Sequence, residues 1–179
     1  GCLANPCFED ENVVAGELLS GSGGFISDFN VVESAINIPF NAADNDAWVL
    51  QPRQVIINNL QHTNLADLRV NLVHRQFGVE DTTWQLIGCD SLSAEVAILN
   101  GMYIFQAPLA AYDYDYLTTP LICEVAAAGG IGGSGVVPSG TYRSQEALVG
   151  KMETRTLGGS WLLQIYDISG GDTGQFASW

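Results

Sequence analysis

The stretch GGSWLLQIYDISGGDTGQFASW, residues 158–179, decides the fold. Trp161 to Ile168 is an alternating, largely apolar run of strand length. A tight acidic loop follows from Asp167 to Gly174, where Gly170, Gly171 and Gly174 let the backbone turn sharply. The sequence then reaches Trp179, where one more strand is expected. A sandwich lacking that strand would expose an unpaired edge and a groove over its core.

Working outward, strand signals recur along the chain. Val32 to Phe40 alternates, with Ile36, Ile38 and Phe40 on one face, and Pro39 marks an edge strand or a strand end. QVIINNLQH at 54–62 follows. In DLRVNLVH at 67–74, Leu68, Val70 and Leu72 face one way, Arg69 and Asn71 the other. TTWQLIG at 82–88 completes a hairpin with it. Further strands are expected over Glu95 to Leu99, Met102 to Gln106, Leu121 to Val125 and Gln145 to Val149. No amphipathic helix separates them, as a doubly wound α/β chain would require. Many short strands between turn-rich loops such as AAAGGIGGSGVVPSG at 126–140 specify an all-β sandwich or barrel. Residues 1–29 form an irregular extension. Its SGSGG at 20–24 is flexible punctuation, and Val13 to Leu19 is a short strand or a docking tail. Residues 30–179 form the sandwich.

The 179 residues suit one domain with a real core. Twenty acids against six bases give a net charge of -14, which repels phosphate backbones and excludes nucleic acid as a partner. The same charge attracts divalent cations that want oxygen ligands, although most of these acids simply solvate the surface. No apolar run approaches a membrane span. No cleavable signal peptide is visible, so the chain is mature or never carried one. Cys2, Cys7, Cys89 and Cys123 show no zinc spacing. Four cysteines allow three pairings. A small Cys2–Cys7 loop and a Cys89–Cys123 staple across the middle are favoured over four buried thiols, because Cys2 and Cys7 sit by a polar terminus. Disulfides place the protein outside the cytoplasm, secreted or on a cell surface.

Several motifs then carry a resemblance. Gly159, Ser160, Trp161, Asp167, Gly171, Asp172, Gly174, Ser178 and Trp179 follow the C-terminal signature of the P domain, the jelly-roll module that follows the catalytic domain of proprotein convertases and recurs in secreted bacterial proteins. HTNLADLRVNLVH at 62–74 resembles that family's His-Thr…Gly-Asp-Leu strand, with Ala66 in place of glycine. LNGMYIF at 99–105 resembles a strand of its bacterial members, and SGTYRSQEALVGKMETRTLGGSW at 139–161 resembles its Gly-x-Tyr-x-Pro…Gly-Glu stretch, with Ser144 for proline. The resemblance spans residues 30–179. It implies a jelly-roll, galactose-binding-like β-sandwich with bound calcium, and a structural role for His62. Family members continue past Ser-Trp with another apolar strand, so residues 12–19 (NVVAGELL) become a candidate donor strand, inserted in the same molecule or a neighbour. Trp179 simply capping the sheet is the plainer outcome.

Among site residues, the metal ligands expected are Asp67, Glu153, Asp167 and Asp172. A calcium site takes six to eight oxygens, which jelly-roll loops can supply. Asp172 would equally serve an Asx-turn without metal. Asp81, Asp90 and the Asp113/Asp115 pair are weaker candidates. Catalysis is not expected: His62 and His74 are the only histidines, both flank one strand, and no Gly-x-Ser-x-Gly elbow occurs. Trp48 and Trp84 could stack on sugars, but core packing is the stronger expectation. The sequence therefore describes a non-catalytic, extracellular, calcium-binding sandwich with a structural or adhesive role. It would self-assemble into filaments or sheaths, as a homo-oligomer joined by strand exchange or end-to-end contacts. An accessory domain of a secreted subtilisin-like protease and a carbohydrate-binding module are the alternatives, with a protein or glycan partner.

Overall fold

A computed structural model of the chain describes residues 18–39, 52–90, 92, 97–108, 114–129, 135–149, 151 and 158–179. Among the described residues, ten strands form two sheets: β1 (Ser22–Ile26), β2 (Val31–Ile38), β3 (Gln54–His62), β4 (Leu68–Arg75), β5 (Thr82–Gly88), β6 (Ile98–Gln106), β7 (Val136–Val137), β8 (Gly140–Arg143), β9 (Gly159–Asp167) and β10 (Gly174–Ser178). One sheet runs β1-β10-β3-β6, with β7 and β8 added in parallel to β6; the other runs β2-β9-β4-β5. The chain crosses between sheets at β1–β2, β2–β3, β3–β4, β5–β6, β8–β9 and β9–β10. A six-stranded and a four-stranded sheet packed over one core make a β-sandwich, so the expected all-β sandwich is the fold.

Alternation explains the layering. In β4, Leu68, Val70 and Leu72 are buried while Arg69 and Asn71 point outward, as the period of two predicts. They meet Val55, Ile57 and Leu60 of β3 and Tyr103 and Phe105 of β6 in one core. Trp84 of β5 stacks on Trp161 of β9 at 6.0 Å, and Trp161 in turn packs on His74 at 4.4 Å. β4 and β5 form the expected hairpin, and β2 ends at Pro39 as an edge strand.

The sheet beside the last strand is closed, where the sequence led us to expect an open slot. β10 pairs with β3 on one side and β1 on the other. Gly21 and Trp179 exchange backbone hydrogen bonds of 2.8 and 3.2 Å, and the Trp179 indole donates to Ser34 Oγ at 2.9 Å. The strand beside β10 is SGGFI at 22–26, which overlaps the SGSGG stretch at 20–24 that composition marked as flexible. Its glycines admit the β10 backbone at a distance a side chain would forbid: a Cβ on Gly23 would collide with the Phe176 and Ala177 carbonyls. Residues 12–17, most of the proposed donor strand, lie outside the described residues.

Three other elements differ. Leu121 to Val125 belongs to helix α2 (Ile122–Ala127), preceded by the short helix α1 (Tyr114–Thr118). Glu124 reaches back to accept from the Leu121 N–H at 2.9 Å, and Ile122 and Ala126, four apart, share the buried face. Gln145 to Val149 makes turns, although the N–H groups of Gln145 and Glu146 donate to β5 carbonyls. The strands expected around Leu99 and Met102 are one strand, β6. It passes through Gly101, where a Cβ would strike Ser139 Oγ. The Cys89–Cys123 disulfide ties the end of β5 to α2. Cys2 and Cys7 lie outside the described residues. No helix among the described residues is long and apolar enough to cross a membrane.

Candidate functional site

The antiparallel register brings the β3–β4 and β9–β10 loops to one end of the sandwich. His62 closes β3 and pairs across to Gly174, while Leu68 opens β4 opposite Asp167. Between them, Asn64 caps a short 3₁₀ turn over Leu65–Asp67, accepting from the Ala66 N–H at 3.2 Å.

Asp167 points inward. Its Oδ2 accepts from His62 Nε2 at 3.1 Å and its Oδ1 from the Ser169 N–H at 3.1 Å; both the His62 and Asp167 side chains are fully buried. A carboxylate only accepts, so Nε2 carries the ring proton facing it. His62 Nδ1 lies 3.1 Å from the Asn64 N–H and 2.9 Å from the Asn64 carbonyl. A neutral ring accepts from the former, and an imidazolium donates to the latter.

Asp67 and Asp172 sit nearer the surface. Asn64 Nδ2 donates to Asp67 Oδ2 at 2.7 Å, and Thr63 Oγ1 donates to Asp172 Oδ1 at 2.5 Å. Each carboxylate thereby keeps one oxygen free of hydrogen bonds to the described residues. Burial pushes the Asp67 carboxyl above its ordinary value, and the charges of Asp167 and Asp172 push it further, against the opposing pull of His62 and the Asn64 hydrogen bond. The sequence pointed to Asp67, Asp167 and Asp172, and the fold gathers all three. It did not single out Thr63 or Asn64, although Asn64 three residues before Asp67 is a recognisable turn-capping pattern.

The remaining candidates go elsewhere. Asp90 pairs with Arg69, and Asp81 with Arg75 at 2.9 Å. Asp115 is exposed on α1. Glu153, Asp113 and Trp48 lie outside the described residues. Trp84 is wholly buried and has no face to offer a sugar. His74 is also buried, its Nε2 against the Gly158 carbonyl at 3.0 Å.

Asp67 and Asp172 offer hard oxygens, and Asp67 feels the negative charge of both Asp167 and Asp172, which suits calcium. Asp167 has both oxygens committed to the fold. Among the described residues, no group of three or more His, Cys, Asp or Glu is arranged to hold a metal ion. Any cage here is therefore completed by carbonyls, water or chain outside those residues.

The raised Asp67 carboxyl has a measurable consequence. A carboxyl whose value is raised by folding stabilises the fold while protonated, and that contribution is lost as pH rises through its folded value. Asp67→Asn keeps an acceptor for Asn64 and removes the charge. In chelator and low salt it should be as stable as the parent near pH 3. At pH 7 it should be more stable by up to about 0.5 kcal/mol, since solvent screens this half-buried group. Urea midpoints at the two pH values check this. A variant less stable than the parent at pH 7 would show that Asp67 ionisation favours the fold.

No protein-family model matches the chain, and no curated protein or solved structure matches it either.

Proposed function

We propose that this chain is a non-catalytic extracellular module of P-domain type, a structural or adhesive subunit whose acidic end is clasped by calcium. One observation carries the proposal: Asp67 and Asp172 stand on the two neighbouring loops, each with one oxygen free of hydrogen bonds to the described residues, and burial together with the charges of Asp167 and Asp172 raises the Asp67 carboxyl. A divalent cation would relieve that repulsion and cross-link the β3–β4 loop to the β9–β10 loop. The Cys89–Cys123 disulfide accords with an oxidising compartment. Among the described residues, His62 is turned to Asp167 and the Asn64 backbone, an arrangement that supports a structural role for it.

Thermal melting in calcium against chelator tests this. At free calcium a hundredfold above its dissociation constant, the gain should be about 2.7 kcal/mol, which raises the midpoint of a chain this size by roughly 5–10 °C. Magnesium, which demands a stricter octahedron, should do much less. Asp172→Asn should abolish the calcium response. An unchanged midpoint in calcium would defeat the metal assignment.

A further inference from the structure

The two sheets turn chemically different faces to solvent. On the four-stranded sheet the outward side chains are charged and partnered: Glu33 of β2 accepts from Gln164 of β9 at 2.6 Å, and Arg69 and Arg75 of β4 pair with Asp90 and Asp81. The six strands of the other sheet contain no Asp or Glu, in a chain with twenty acids. Arg143 of β8 is their one Lys or Arg, and it is turned to the Thr119 carbonyl at 2.6 Å.

This second sheet presents a row of side-chain amides instead. Phe25 of β1 pairs with Gln175 of β10, Gln175 with Gln61 of β3, and Gln61 with Asn100 of β6. Their strand neighbours Ile26, Phe176, His62 and Leu99 are buried, so alternation turns all four of the row outward. The row crosses four strands, about 14 Å at sheet spacing.

The amides orient one another. Gln175 Nε2 donates to Gln61 Oε1, and Gln61 Nε2 donates to Asn59 Oδ1, both at 3.1 Å. Asn59 sits where the β3–β6 register slips, with φ 51°, and such a bulge re-aims a side chain. Each glutamine NH₂ spends one N–H in this relay and has a second to offer. Gln175 Oε1, Asn59 Nδ2 and the exposed Asn100 amide make no hydrogen bond to the described residues. At the end of the row the Phe25 ring is 79% exposed.

We infer that this face binds an uncharged polysaccharide lying along Phe25, Gln175, Gln61 and Asn100. On the adhesive reading proposed above, on which this rests, such a chain is what the module adheres to. A sugar hydroxyl both donates and accepts, and an amide answers it either way, whereas a carboxylate only accepts and an ammonium only donates. The Phe25 ring offers an apolar surface to the C–H face of a sugar ring. The net charge of -14 repels an acidic glycan but not a neutral one. A second copy of this chain would bring the same charge of -14 to the contact.

Native electrophoresis of the full chain, in gels carrying hydroxyethylcellulose, galactomannan or a soluble neutral β-glucan, provides the test. At least one of these polymers should retard the parent, and carboxymethylcellulose should not. Phe25→Ala and Gln61→Ala should each weaken the retarding interaction by about tenfold, the size of one lost ring contact or amide hydrogen bond. Phe25→Ala should melt like the parent, because its ring is in solvent. A second measurement needs no variant: the side-chain NH₂ signals of Gln61 and Gln175 should shift in the NMR spectrum of the parent as oligosaccharides of the retarding polymer are added. Retardation by none of the neutral polymers would overturn the inference, as would retardation by carboxymethylcellulose alone or shifts confined to other residues. A dimer in sedimentation that Phe25→Ala dissolves would assign the face to a second copy and overturn it too. Melting in calcium keeps two failures apart. A parent that responds to calcium but runs unretarded loses this ligand and keeps the structural module; a retarded parent with no calcium response loses the metal and keeps this face.

Discussion

Replacing Cys89 and Cys123 together with alanine should lower the unfolding free energy by about 4 kcal/mol. The bond closes a loop with a sequence separation of 34, and in the chain-entropy account a loop of that length confines the unfolded ensemble by about that amount. A chain this long should then melt roughly 8–16 °C lower. The loss is large because of what the bond holds. α2 is a six-residue helix, far too short to stand alone in water. Apart from the disulfide, it is anchored by burial of Ile122 and Ala126. Cys89 is itself in the core, so alanine also removes a buried sulfur. Reducing the parent with dithiothreitol separates the terms, since it breaks the cross-link and keeps both sulfurs. The reduced protein should show most of the loss, with a steeper denaturant dependence as its unfolded chain expands. A loss below about 1 kcal/mol in both would mean that the unfolded chain is already confined over this span.

This staple was legible in the sequence. Two cysteines remained in the middle of an all-β chain with no metal spacing, which left few other uses for them. The strand alternation of β4 was equally plain, because burying every second residue leaves a direct trace. β1 was not. Ser22–Ile26 is a strand because β10 lies close beside Gly23, and such a contact between distant residues leaves no mark on the local composition. α2 was hidden for the opposite reason. ICEVAA suits either element, and what decides it is the reach of Glu124 back to the Leu121 N–H together with the four-residue spacing of Ile122 and Ala126. At the acidic end, the sequence supplied the carboxylates but not their division of labour. Nothing in Asp167 distinguishes it from Asp172 until the register sets it opposite Leu68 and turns it onto His62.

That division leads to the second large effect. In chelator, Asp167→Ala should cost about 3 kcal/mol or more. It strands the Nε2–H of the fully buried His62 ring, and it removes the acceptor of the Ser169 N–H at the loop entrance. A buried donor without a partner costs about 1–3 kcal/mol, and a buried charge stripped of its partner about 3–5. Asp167→Asn should be much milder, near 1 kcal/mol. Its amide oxygen can still accept from Ser169, and its NH₂ would face Nε2. A neutral His62 can answer by moving its proton to Nδ1, because the Asn64 carbonyl already lies 2.9 Å away to receive it. An imidazolium has no such answer: both ring nitrogens are protonated, and the NH₂ of the substituted side chain would oppose a donor. The ratio of the two losses therefore reports the ring's protonation state in the native protein. If asparagine costs as much as alanine, His62 is charged. Nitrogen NMR shifts of the ring, recorded on the parent and on Asp167→Asn, would then show a doubly protonated imidazole in the first and no tautomer exchange in the second.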